Sequence, residues 1–69
     1  MSIKQWVEQQ KAEGNFQEFI VYANIGNNSD ELVVCTVEDA DNAGCVIVDV
    51  DMVQHNAFYR SAVIIAEVA

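Results

Sequence analysis

Phe58-Tyr59-Arg60-Ser61-Ala62-Val63-Ile64-Ile65-Ala66-Glu67-Val68 is the stretch on which the fold turns. Met52, Val53, Asn56, Ala57, Arg60, Val63 and Ile64 fit a helical stripe, so periodicity alone leaves helix and strand both open here. The run Val63-Ile64-Ile65 decides for strand. Branching at Cβ restricts χ1 in a helix but packs well on a pleated surface. Working outward, 45–52, 31–38 and 16–25 have the same character: rich in Val, Ile, Tyr or Phe, with a period of two. Polar clusters separate these segments, namely Gly26-Asn27-Asn28-Ser29-Asp30, Asp39-Ala40-Asp41-Asn42-Ala43-Gly44 and Gln54-His55-Asn56. Such short connections predict an antiparallel meander.

Residues 2–13 read differently. Ser2 followed three positions later by Gln5 is a capping signature, Gly14 is a natural stop, and Ile3, Trp6 and Val7 make one apolar stripe. The expected architecture is therefore α+β, with an N-terminal amphipathic helix packed on one face of a four-stranded antiparallel sheet. All 69 residues fall in one domain.

Alternation supplies registers. Pairing Val21 with Cys35, Cys35 with Val48 and Val48 with Val63 gives one apolar face for the helix to cover. It places Cys35 inward and Cys45 outward, and sets Arg60 across from Asp51. The other face then carries Ile20, Tyr22, Val34, Ile47, Ala62, Ile64 and Ala66 among acidic residues. So apolar a face on the solvent side predicts a partner or a homodimer seam, with Ile20, Tyr22, Val34, Ile47 and Ile64 as its contacts.

Charge is the other strong signal. Three Lys/Arg stand against eleven Asp/Glu, for a net charge of −8, although 52% of the chain is hydrophobic. That balance excludes an acidic disordered tail, and it argues against direct nucleic-acid binding, which requires cations to displace counterions. Between Ala12 and Tyr59 there is no Lys or Arg. Asp30, Glu31, Glu38, Asp39, Asp41, Asp49 and Asp51 crowd that interval and are the expected partner-binding acids. Asp49 and Asp51 lie two apart on a strand, roughly 7 Å, which matches the scale of successive phosphates on a nucleic-acid strand.

Other chemistries find little footing. Asp39-Ala40-Asp41-Asn42-Ala43-Gly44 opens like a calcium loop but lacks the ligands at its fifth and twelfth positions, so no metal or cofactor is expected. His55 has no cysteine within reach in the expected fold, and the prediction is a protein that is not an enzyme. No apolar leader or membrane-length run is present, which predicts a cytoplasmic protein without membrane contact.

On the cation-free segment from Ala12 to Tyr59, with Glu38, Asp39, Asp41, Asp49 and Asp51, the chain resembles the small acidic inhibitors encoded by bacteriophages and other mobile elements. Anti-CRISPR proteins and other DNA mimics belong to this class. The resemblance covers the middle of the chain and implies a protein that binds the basic nucleic-acid-binding surface of a host protein or CRISPR effector complex, in the host cytoplasm, and blocks nucleic-acid binding without chemistry. The alternative is a small homodimeric structural or adaptor protein whose acidity serves solubility.

Overall fold

The computed structural model describes residues 1–25 and 31–69. Its elements are helix α1 (Ile3–Glu13), strands β1 (Glu18–Ala23) and β2 (Val33–Cys35), helix α2 (Val37–Asn42), and strands β3 (Cys45–Asn56) and β4 (Tyr59–Val68). The sheet order is β2-β1-β4-β3. β1 pairs antiparallel with β2 and β3 pairs antiparallel with β4, but β1 and β4 run parallel. The sheet is thus mixed, which corrects the expected antiparallel meander. β4 turns back from β3 and inserts beside β1 instead of ending the sheet.

Local chemistry explains α1. The Gln5 N–H donates to Ser2 Oγ at 3.0 Å and the Ser2 N–H donates to Gln5 Oε1 at 2.9 Å, so two otherwise unpaired donors are satisfied reciprocally. At the other end Gly14 takes φ 72°, a left-handed conformation that costs glycine nothing, and its N–H closes onto the last turn. Trp6 packs among Phe16 and Phe19 with ring centroids 6.4 and 6.3 Å away, fastening α1 to the start of β1.

The strand expected over 31–38 shortens to Val33–Cys35, because Thr36 caps a second helix. Its Oγ1 accepts from the Asp39 N–H at 3.0 Å, and Glu38 and Asp39 in the first turn favour the helix dipole. The stretch weighed as a calcium loop is mostly this helix. α2 carries the chain between the two edges of the sheet, so β2 and β3 are not neighbours and the expected pairing of Cys35 with Val48 does not form. Gly44, at φ 77°, makes the turn into β3.

The third expected loop, Gln54-His55-Asn56, belongs to β3, and the turn falls at Ala57-Phe58. Asn56 Oδ1 accepts from the Phe58 N–H at 2.8 Å, an Asx arrangement that fixes the turn there. Val63 consequently pairs with Asp51 rather than Val48, with an irregularity between Ile47 and Asp49. Three residues is an odd displacement, and an odd displacement exchanges the two faces of a strand. Ile64, Ala62 and Ala66 are therefore fully buried, and Ile64 and Ala66 pack with Ile3 and Val7 of α1, Ala40 of α2, and Val21, Ala23 and Cys45. Both helices lie on this face. Truncating Ile64→Ala should cost about 2–5 kcal/mol, whereas Val63→Ala on the uncovered face should cost about 1 kcal/mol or less. Urea denaturation of the two variants measures the difference.

Candidate protein-binding surface

The face opposite the helices is built from alternate residues of all four strands. The pairings align two rows across it: Ile20–Val63–Asp51, and Val34–Tyr22–Ile65–Asp49. Ile20, Tyr22, Val63 and Ile65 are half-buried by one another, while Val34 is 66% exposed. Asp49 and Asp51 are exposed at the β3 end of the rows. Val53 and Val46 continue the face along β3 and are 44% and 46% exposed. Neither helix packs on this side. The surface is apolar in the middle and carboxylate along one border.

Of the apolar contacts expected from sequence, Ile20, Tyr22 and Val34 lie on this face. Ile47 and Ile64 do not: Ile64 is fully buried beneath the helices and Ile47 packs against the same core. The odd register displacement turns Ile64 inward and brings Val63 and Ile65 out, and the irregularity between Ile47 and Asp49 turns Ile47 to the helix side. Cys45 is likewise buried on the helix side rather than outward, and Arg60 pairs across from Gln54 rather than Asp51.

The expected acids are not brought together. Asp49 and Asp51 share the uncovered face, but Glu38 and Asp39 sit exposed on α2, which packs on the other side. Glu31 is exposed ahead of β2, and Asp30 lies outside the described residues. Asp41 has an internal task. Its carboxylate accepts from the Ile3 N–H at 2.8 Å and from the Lys4 N–H at 3.0 Å, so it caps the start of α1 from α2. Between these helices runs an open cleft of about 580 Å³, where Lys4 and Lys11 face Glu38 and Asp41.

A polar cluster closes one end of the uncovered face. The Ser61 hydroxyl donates to Glu18 Oε2 at 2.9 Å, and the Tyr59 hydroxyl donates to the same oxygen at 3.2 Å. His55 Nε2 lies 2.9 Å from Ser61 Oγ, and because the serine hydroxyl donates to Glu18, the pairing with His55 calls for the tautomer in which Nε2–H donates to Ser61 Oγ. Partial burial, followed by the charge and hydrogen bond of Glu18, holds the Tyr59 phenol above its usual range. Ser61 is 2% exposed, and its hydroxyl is held between Glu18 and His55. The cluster satisfies polar groups where the sheet meets solvent. Sequence reading missed it because His55 and Ser61 meet across the β3–β4 hairpin and Glu18 arrives only through the parallel pairing.

Among the described residues no group of three His, Cys, Asp or Glu side chains is placed to hold a metal ion, and no helix is long and apolar enough to cross a membrane. Cys35 and Cys45 are free thiols. Burial raises both, helped at Cys35 by the charges of Asp39 and Cys45 and at Cys45 by that of Asp41. No family model, curated protein or solved structure matches this chain.

Two measurements test this assignment of roles. Asp41→Ala removes two charge-assisted hydrogen bonds and should cost about 2 kcal/mol, while Glu38→Ala should stay within about 0.5 kcal/mol. Urea titration of both separates a capping carboxylate from a solvated one. The thiols give a pH test. A raised folded-state pKa means the folded chain holds its protons more tightly, so this contribution is intact below the ordinary thiol value of 9.0 and is lost as pH rises through the folded values. Stability should fall as pH rises above about 9, and the double variant Cys35→Ala, Cys45→Ala should fall less steeply.

Proposed function

We propose that this chain is a non-enzymatic acidic binding protein that occupies the basic nucleic-acid-binding surface of another protein, in the manner of DNA mimics and anti-CRISPR inhibitors. The observation that carries the reading is the pair of rows Ile20–Val63–Asp51 and Tyr22–Ile65–Asp49, each running from apolar side chains to an exposed carboxylate on the face that neither α1 nor α2 covers. Apolar contacts supply an anchor that gains from exclusion of water, and the carboxylates supply steering and orientation. A net charge of −8 extends that steering beyond the contact itself. Asp49 and Asp51, spaced at roughly the interval of successive phosphates, offer a cationic groove the pattern it meets in nucleic acid. The reading requires no cofactor and no chemistry by His55 or Ser61. Its site of action is the cytoplasm, where a nucleic-acid-processing complex such as a CRISPR effector is the kind of target it fits.

Affinity capture from bacterial lysate, run in parallel with the folded chain and its Asp49→Lys, Asp51→Lys variant, tests this. The expected outcome is retention of a nucleic-acid-binding protein that elutes with salt, is displaced by competitor DNA and is lost on the variant. Retention that ignores salt, DNA and the charge reversal would overturn it. A salt-indifferent dimer disrupted by Ile65→Asp would put homodimeric packing of the same face in its place.

A further inference from the structure

The free edge of β3 is a separate surface from the sheet face. β3, 12 residues long, is an edge: β4 pairs with one side of it and, among the described residues, no strand pairs with the other. Val48, Asp49 and all residues from Asp51 to Asn56 are exposed, so the helices leave this edge uncovered. The opposite edge, β2, is only three residues long. A long edge strand presents a row of backbone donors and acceptors that templates a further strand.

Charge selects what that strand is. Residues facing each other across an antiparallel pair share a face, so two copies of β3 meeting about Val50 would set Asp49 against Asp51 at both ends of the contact. Meeting about Asp51 would set that carboxylate against its own copy. Like charges directly opposite destabilise a pair, so the centre of β3 rejects a second β3. The same carboxylates favour a strand with cations at alternate positions. On the other face of the edge, Val50 is half-buried and Met52 is 52% exposed, which suits aliphatic residues between those cations.

We infer that β3 accepts an extended basic segment of the partner as a fifth strand, with Lys or Arg facing Asp49 and Asp51 and aliphatic side chains facing Val50 and Met52. The inference rests on the reading of a basic partner and specifies how one segment of it is held. Backbone pairing supplies affinity that is indifferent to sequence, and alternation of charge supplies the selection.

The probe is a capped peptide of about eight residues alternating lysine and valine, compared with the same peptide N-methylated at every second residue. N-methylation keeps the charge and removes the donors of one edge. Binding is followed by fluorescence anisotropy and by amide shifts and hydrogen exchange in the labelled protein. The unmodified peptide should protect amides of β3 and weaken with salt, and N-methylation should weaken it by about tenfold or more. Asp49→Lys with Asp51→Lys should weaken it as much and shift preference to a glutamate–valine peptide. Equal binding of the two lysine peptides would overturn strand addition while leaving a cationic partner in place, and capture failing while the peptide still protects β3 would overturn the partner assignment alone. Absence of β3 protection, or β3 protection that grows with protein concentration without peptide, would also overturn it. The N-methyl comparison needs no variant and keeps the test decisive if the double lysine variant fails to fold.

Discussion

β4 pairs along both of its edges, and the rest of the molecule is arranged around that fact. Its antiparallel partner β3 is next to it in sequence and needs only the Ala57-Phe58 turn. Its parallel partner β1 is some forty positions earlier, with Glu18 beside Ser61 and Ala23 beside Ala66. A parallel pair cannot be closed by a hairpin, so the chain must travel around the sheet before returning. β2 and α2 are that journey. Burial of Ala62, Ile64 and Ala66 within one strand follows from having a strand on each side and helices above, while Ser61, on the other face, is covered by Glu18, His55 and Tyr59. Ile64 and the small Ala66 pack with Ile3 and Val7 of α1 and Ala40 of α2.

Half of this was legible in the sequence, for physical reasons that differ by element. α1 announces itself because its signals are local: Ser2, Gln5 and Gly14 each act within one turn of the helix. The pairing of Val21 with Cys35 is likewise readable from alternation around one connection. α2 was not, because Thr36-Val37-Glu38-Asp39 satisfies two descriptions. Thr36 and Asp39 three apart make a helix cap, yet the same residues extend the alternation of β2. The turn at Ala57-Phe58 was hidden by the more polar Gln54-His55-Asn56 just before it. That error is small in position and large in effect, since three residues exchange the faces of β4 and turn Ile64 from surface to core. The parallel pairing has no local signal at all. It is decided by which faces can be buried together, and no stretch of sequence states that alone.

The acidic residues show why a charge count is a poor guide to a surface. Eleven carboxylates are present, but their roles diverge once the chain is folded. Asp41 is turned inward to the first turn of α1, and Glu38 and Asp39 complement the start of α2. Glu18 ties Tyr59 and Ser61 together across two strands. These groups stabilise the fold whether or not a partner exists. Asp49 and Asp51 are different. Asp49 bonds the N–H of the next residue, and neither carboxylate faces a cation across β4, where its neighbours are Ile65 and Val63. They stand where the apolar face meets the free edge.

That position has a consequence for association in general. An exposed apolar face beside a long bare edge is the arrangement most prone to self-pairing, because face and edge reinforce one another in a growing sheet. Carboxylates set at their junction act on both at once. They repel a second copy approaching in plane, and they keep hydrated groups at the border of a copy stacking face to face. The irregularity at Val48 adds a local twist to the same stretch of edge. A cationic partner reverses the sign of the electrostatic part while leaving the apolar gain intact. On the proposed reading, the two features that would make this sheet aggregate if it were neutral become, with Asp49 and Asp51 between them, a means of choosing between its own copies and a basic protein.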